Sequence, residues 1–150
     1  CIRDRKGTVI DGARGSFQTL LAEAAKRAET RGVGRTGAAG VLWACGRLQV
    51  TPREGEADAL LDCLLIDEGM ASKARHVQPQ ALVHGVWGAC HMEGVALSQK
   101  HRDAVLSHVS RLIKAGVMGT RHADALRASA AGAGLDPVQM EHVLTAGDTA

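Results

Sequence analysis

A tryptophan-containing segment occurs twice in the chain, and this repetition constrains the fold more than any other feature. The two copies occupy residues 38–48 and 82–92, and they hold the only two tryptophans, Trp43 and Trp87. Each copy is followed by a second stretch with apolar residues at helical spacing. A unit that recurs after about 40 residues is typical of arrays of stacked helix pairs, which present extended binding surfaces.

The composition favours helices over sheets. The apolar residues are mostly Ala, Leu and Val, with one Phe, two Trp and no Tyr, and this set suits closely packed helices. Most of the 18 glycines lie between the periodic stretches, where they mark short connections. We therefore expect an all-α protein, an α-solenoid of stacked antiparallel helix pairs with about six helices.

The predicted domain organisation has two parts. Residues 1–15 are polar and contain glycines, so we expect a poorly ordered or extended lead-in, and residues 16–150 form the helical-repeat domain. Ser16 is a suitable cap for the first helix. The last repeat is degraded, because Arg127 stands where a tryptophan would be expected, and this is common in terminal repeats.

The predicted core is the apolar stripe of each repeat helix. Its members are Leu42, Trp43, Leu60, Leu61, Leu64, Val86, Trp87, Val105, Leu106 and Val109. An exposed indole can also stack on a nucleobase. The position of both tryptophans inside the apolar stripes favours the core interpretation.

The charges are distributed unevenly, although the formal net charge is only +2. Two basic regions flank an acidic stretch over residues 51–70, and this pattern can build a polyanion-binding face or simply a solvated helix surface. The candidate contacts to RNA phosphates are Lys26, Arg27, Arg31, Arg35, Lys100, Arg102, His108, Arg111 and Lys114.

The pattern around the tryptophans resembles that of known helical repeats. Residues 79–92 contain a leucine, three further residues, an aliphatic residue, Trp and then alternating small residues up to a Leu or Met. Residues 41–48 match this pattern nearly as well. This is similar to the octotricopeptide-repeat proteins and their FAST-kinase-like, RAP-domain and heptatricopeptide relatives. The resemblance covers roughly residues 16–146.

The resemblance implies an organellar protein that handles RNA. The proline-rich motif of the strict octotricopeptide repeat is absent, so scaffolding is favoured over base-by-base reading. We expect a structural component of a mitochondrial ribosome that contacts rRNA and neighbouring proteins. A chloroplast location, a free RNA-processing or stability factor that binds single-stranded transcripts, and a protein-only helical adaptor are the alternatives.

No motif predicts an enzyme. Residues 32–37 match G-x-G-x-x-G, but they follow a helical stretch instead of a strand, so an interhelical loop is the better interpretation. The histidines and cysteines lack the spacing of a metal site or a nucleophile–base pair. We expect no cofactor, no metal, no small-molecule substrate and no membrane insertion.

Overall fold

The computed structural model describes residues 3–30, 32–67 and 77–146, with side chains from Gly15 onward. These residues form seven α-helices and no strand, which confirms the predicted all-α class. The helices are α1 (Arg3–Glu29), α2 (Arg35–Leu48), α3 (Glu56–Leu65), α4 (Pro79–His91), α5 (Gln99–Lys114), α6 (Thr120–Ala130) and α7 (Pro137–Thr145).

The first helix begins earlier than the sequence predicts. The expected lead-in over residues 1–15 is wrong from Arg3 onward, because α1 is continuous from there to Glu29. Glycines inside this stretch each cost about 1 kcal/mol relative to alanine. Extending a helix that already exists is easier than nucleating one. The packed C-terminal part of α1 can therefore be extended through these glycines.

The starts and ends of the later helices follow local rules. Pro79 occupies the first turn of α4, where no backbone donor is needed. Ser98 and Asp136 cap α5 and α7 by accepting hydrogen bonds from the backbone N–H groups of the first turn. Gln49 ends α2 in the left-handed region, with a φ of 51°.

Helices that are two apart in sequence pack side by side. The even-numbered helices form one row, in which α2 packs on α4 and α4 packs on α6. The odd-numbered helices form a second row, from α1 through α3 and α5 to α7. Contacts of α2 with α1 and α3, of α3 with α4 and of α6 with α7 join the rows, and the core lies between them.

Most of the predicted core residues are buried in this structure. Fully buried are Leu42, Leu60, Leu61, Leu64, Val86, Val105 and Val109, whereas Leu106 is half-buried. The prediction that Trp43 belongs to the core is wrong, because 40% of this residue is exposed. Trp87 is only half-buried.

The approach of α2 and α4 explains why the tryptophans lie at the surface. A Cβ atom added to Gly88 would collide with the backbone of Leu42, so the two helices meet almost backbone to backbone. An indole does not fit between helices this close. Trp43 is one residue beyond Leu42, which turns it about 100° around the helix and out of the contact.

Candidate nucleic-acid interface

Two of the predicted phosphate contacts bind a carboxylate of the protein itself. Arg111 Nη1 donates to Asp67 Oδ2 at 2.9 Å, and Arg35 pairs with the other oxygen of the same carboxylate. Desolvation of Asp67 works to raise its pKa, but the hydrogen bonds from Arg35 and Arg111 outweigh it and lower the pKa to about 2. This carboxylate therefore connects α2 and α5 to the end of α3.

His108 is also a structural residue. It is 1% exposed, and its Nε2–H donates to the backbone oxygen of Leu65 at 2.7 Å. Burial lowers the pKa of His108, so the imidazole is neutral at physiological pH. The prediction that His108 contacts phosphate is wrong, because the ring satisfies one of the last carbonyls of α3 instead.

The start of α5 forms a similar contact with α3. Lys100 Nζ lies 2.8 Å from Asp62 Oδ1, and His101 Nε2 lies 2.7 Å from the same oxygen. Desolvation alone would raise the pKa of Asp62, but the hydrogen bonds from Lys100 and His101 lower it. Arg102 Nη1 donates to the backbone oxygen of Leu97 at 2.8 Å. Lys100 and His101 thus bind α3, whereas Arg102 binds the segment that leads into its own helix.

The other described candidates, Lys26, Arg27 and Lys114, lie on helices of the odd-numbered row. Arg27 pairs with Glu23 at 2.8 Å along α1. Lys26 and Lys114 are exposed, and Arg31 lies outside the described residues.

Some of the candidates do lie together: Arg35 and Lys100 line one depression with Asp62, and Arg35 and Arg111 share the carboxylate of Asp67. The basic groups of this cluster are paired with carboxylates of the protein, which offset their charge.

A different surface combines positive charge with aromatic rings. Neither α2 nor α4 contains an aspartate or glutamate, whereas α3 carries three carboxylates. Apart from Arg35, the arginines and histidines of α2 and α4 are Arg47, His84 and His91. This pair of helices therefore has no carboxylate of its own to repel a polyanion.

Trp43 is the centre of this surface. The Cζ atom of Arg47 lies 5.9 Å from the centroid of the indole, in a cation–π arrangement. The imidazole of His84, on α4, stacks against the indole with centroids 5.5 Å apart and planes at 29°. An exposed cation–π contact contributes about 0.5–1 kcal/mol. The indole is thus accessible and only weakly covered.

Trp87 repeats this arrangement on α4. His91, four residues after Trp87 as Arg47 is four after Trp43, stacks on the indole with centroids 3.9 Å apart and planes at 19°. Its Nδ1–H donates to the backbone oxygen of Trp87 at 2.8 Å, which defines the tautomer. Below, the α2–α4 face means Trp43, Arg47, His84, Trp87 and His91.

Open space lies next to this face. Gly40, one turn before Trp43, is exposed, and a Cβ atom added to it would meet nothing within 4 Å. A depression of about 440 Å³ lies beside His91. It is lined by Gln49, Cys90, His91, Met92 and Glu93.

The aromatic character ends at α6. His122 extends the polar contacts to the third even-numbered helix, where its Nε2 lies 3.3 Å from Gln80 Oε1. Arg127 binds both oxygens of Glu141, at 2.7 and 3.2 Å, and one of Asp124 at 2.9 Å. The guanidinium at the expected third tryptophan position is therefore neutralised by its neighbours.

The thiols of Cys45 and Cys90 are unreactive. Burial raises the pKa of the Cys45 thiol to about 11, with a further contribution from Glu56, and burial raises that of Cys90 to about 11 as well. Both thiols are protonated at neutral pH and are poor nucleophiles. Within the described ranges, no cluster of three or more His, Cys, Asp or Glu is placed to hold a metal. No described helix is both long and apolar enough to cross a bilayer.

The sequence did not lead us to expect that Arg47, His84 and His91 contact the two indoles. One signal was present in the chain: each tryptophan is followed four residues later by a side chain able to carry positive charge, and residues four apart are neighbours on a helix. The lack of carboxylates within residues 35–48 and within residues 79–91 was the second signal. The stacking of His84 on Trp43 joins two helices, so only the structure reveals it.

Comparison of the chain with protein-family models, with curated proteins and with solved structures finds no significant match.

Proposed function

We propose that the chain is a non-enzymatic helical-repeat scaffold that binds RNA on its α2–α4 face. The observation that carries the proposal is a pair of adjacent helices without a carboxylate, which presents the exposed indole of Trp43 beside Arg47. Cations neutralise phosphates, and exposed aromatic rings stack on bases. A surface that offers both fits a nucleic acid better than an acidic protein.

The proposed architecture is a short α-solenoid. Its basis is the side-by-side packing of helices two apart in sequence, which gives an even-numbered and an odd-numbered row. In such an array each repeat contacts mainly its neighbours, and one row provides an extended ligand-binding surface. The α2–α4 face lies on the even-numbered row.

The proposed setting is a mitochondrial ribosome, where the chain would contact rRNA and neighbouring proteins. Its basis is the resemblance of residues 79–92 to organellar helical repeats, and a chloroplast is the alternative location. Val138, which is 76% exposed on α7, lines a depression together with Leu106 and Val143, and apolar surface patches mark interaction sites.

A free organellar factor that binds single-stranded transcripts is the second candidate. The exposure of Trp43 favours it, since stacking needs unpaired bases. A protein-only adaptor is the third alternative, and it requires no affinity for RNA.

The α2–α4 face can be tested with matched charge reversals. Arg47 and Lys114 both lie in the last turn of a helix, so each reversal has a similar effect on the helix dipole. We expect Arg47→Glu to weaken binding of a labelled single-stranded RNA at least about tenfold at low salt, and Lys114→Glu to have a smaller effect. Equal losses for both variants would argue against a site on this face.

Sedimentation of organelle extract distinguishes the settings. Comigration with a ribosomal subunit, lost after nuclease treatment, is expected for the ribosomal scaffold. A light particle that is sensitive to nuclease would favour the transcript-binding factor. A heavy complex that resists nuclease would contradict the RNA-based function and favour the protein-only adaptor.

A further inference from the structure

We propose that Trp43 and Trp87 are two base-stacking positions for single-stranded RNA, each closed in the free protein by the residue four positions later. This inference rests on the proposed function, because it requires that RNA binds the α2–α4 face. It goes further in naming unpaired bases as the ligand and the two indoles as the groups that receive them. Arg47 and His91 are called the cover residues below.

The two positions have the same local design. Both tryptophans lie on the even-numbered row, 44 residues apart at positions 43 and 87, and their cover residues, Arg47 and His91, have the same separation. The Cζ atom of Arg47 lies 5.9 Å from the centroid of one indole, and the ring of His91 lies 3.9 Å from that of the other. Because residues four apart are neighbours on a helix, each cover residue is placed over its own indole.

Both cover residues are exposed and contact their indoles from within the same helix, so moving them disturbs no described contact between helices. Displacing His91 also breaks its hydrogen bond to the backbone oxygen of Trp87, whereas Arg47 is held by the weaker cation–π contact. A base stacks on an indole more strongly than an exposed guanidinium does. Once displaced, Arg47 remains next to the bound strand and can pair with its phosphate.

His84 supports the first position from the neighbouring helix. Its ring stacks on Trp43, and its Nε2 is hydrogen-bonded to the side chain of Gln80 on the same helix. Gln80 is in turn within 3.3 Å of His122 on α6. This chain of contacts supports the position of the imidazole, which together with the indole forms an aromatic surface from two helices.

The ligand follows from the shape of the site. Bases inside an RNA duplex are already stacked, and its deep, narrow major groove excludes side chains. Unpaired bases have free faces that can stack on an aromatic ring in a sequence-tolerant way. The open space beside Gly40 leaves room for such a base next to Trp43.

The chain provides its own spectroscopic probe. It has two tryptophans and no tyrosine, so its intrinsic fluorescence comes almost entirely from the two proposed positions. The experiment titrates the full chain with an end-labelled single-stranded RNA of about 12 nucleotides, which is within the site sizes of such surfaces. Anisotropy of the label reports binding, and indole emission reports stacking. An abasic strand of equal length is the control for phosphate contacts alone.

Substitutions assign the signal to each position. Trp43→Phe leaves only the indole of Trp87, and Trp87→Phe leaves only that of Trp43. We expect RNA to quench the emission of both variants and the abasic strand to quench neither. Trp43→Ala should weaken RNA binding about 5- to 150-fold, whereas Leu20→Ala, an exposed apolar truncation on α1, should not change it. Circular dichroism checks the fold, and quenching of the Trp87→Phe variant, whose only indole is that of Trp43, provides the readout if Trp43→Ala is unfolded.

The outcomes separate this inference from the proposed function. RNA binding with unchanged indole emission, and with unchanged affinity after substitution of Trp43, would overturn the stacking positions and leave an RNA-binding scaffold. Quenching by the abasic strand equal to that by RNA would also overturn them. If the wild-type chain binds no RNA even at low salt, both the stacking positions and the proposed function are wrong.

Discussion

Gly46 of α2 and Gly88 of α4 lie against each other so closely that a Cβ atom added to Gly46 would be 2.7 Å from the backbone oxygen of Gly88. Real Cβ atoms essentially never come this close to another heavy atom. The two helices that present the proposed RNA-binding surface are therefore in backbone contact. The distance between α2 and α4 depends on glycine at positions 46 and 88, because a side chain there would force the helices apart.

The first prediction concerns this contact. Gly88→Ala should destabilise the fold by about 1–3 kcal/mol, because the added methyl group forces α2 and α4 apart. Gly40→Ala is the matched control: its Cβ meets nothing within 4 Å, so better helix propensity should stabilise the fold by about 0.5–1 kcal/mol. Chemical denaturation measures both values. A Gly88→Ala variant as stable as the wild type would contradict the close approach.

The second prediction concerns the carboxylate that binds Arg35 and Arg111. Asp67→Asn should lower the free energy of unfolding by about 1 kcal/mol at neutral pH, because the ion pairs are partly exposed. The pKa of Asp67 is lowered from 3.8 to about 2, so its stabilisation is complete above pH 3.8 and is lost as the pH falls through about 2. Denaturation at several pH values should show the two proteins converging in acid. A constant difference over this range would exclude the ion pairs.

The third prediction concerns His108. Its pKa is lowered by burial, so below the ordinary value of 6.5 the unfolded chain binds more protons than the folded one. The contribution of His108 to stability is therefore present above pH 6.5 and is lost on acidification. His108→Gln keeps a donor for the backbone oxygen of Leu65 but does not titrate, so it should reduce the pH dependence of stability between neutral and mildly acidic pH.

A second variant tests the hydrogen bond itself. His108→Leu fills the same space with an apolar side chain but removes the donor to the backbone oxygen of Leu65. This should lower the free energy of unfolding by about 1–3 kcal/mol at neutral pH. Unfolding monitored by circular dichroism compares the two variants with the wild type. Equal stability of His108→Gln and His108→Leu at neutral pH would show that the bond to Leu65 contributes nothing.

Local patterns were sufficient to predict helices from α2 onward. The apolar spacing, Pro79 and Ser98 correctly indicated α4 and α5, since these signals depend only on neighbouring residues. The orientation of Trp43 was not predictable in this way. A residue 100° from the centre of an apolar stripe is buried or exposed according to how closely the next helix approaches, and this distance is set by tertiary contacts.

The functions of the basic residues were also beyond a local analysis. The partner of Arg35 and Arg111, Asp67, lies 32 and 44 residues away in the chain. A charge pattern shows which side chains are basic, but not which carboxylates fold back against them. The same limit applied to His84, whose ring belongs to α4 and stacks on the tryptophan of α2.

The most direct test of RNA binding on the α2–α4 face is ultraviolet crosslinking of the protein to RNA in its native extract, followed by mass spectrometric mapping of the crosslinked peptides. We predict nucleotide adducts within residues 35–48 and 79–91, at or next to Trp43 and Trp87, and far fewer of them within 99–114. The helices of the odd-numbered row, where few adducts are expected, serve as the internal control. Adducts concentrated at residues 99–114, or a complete lack of RNA adducts, would contradict the account.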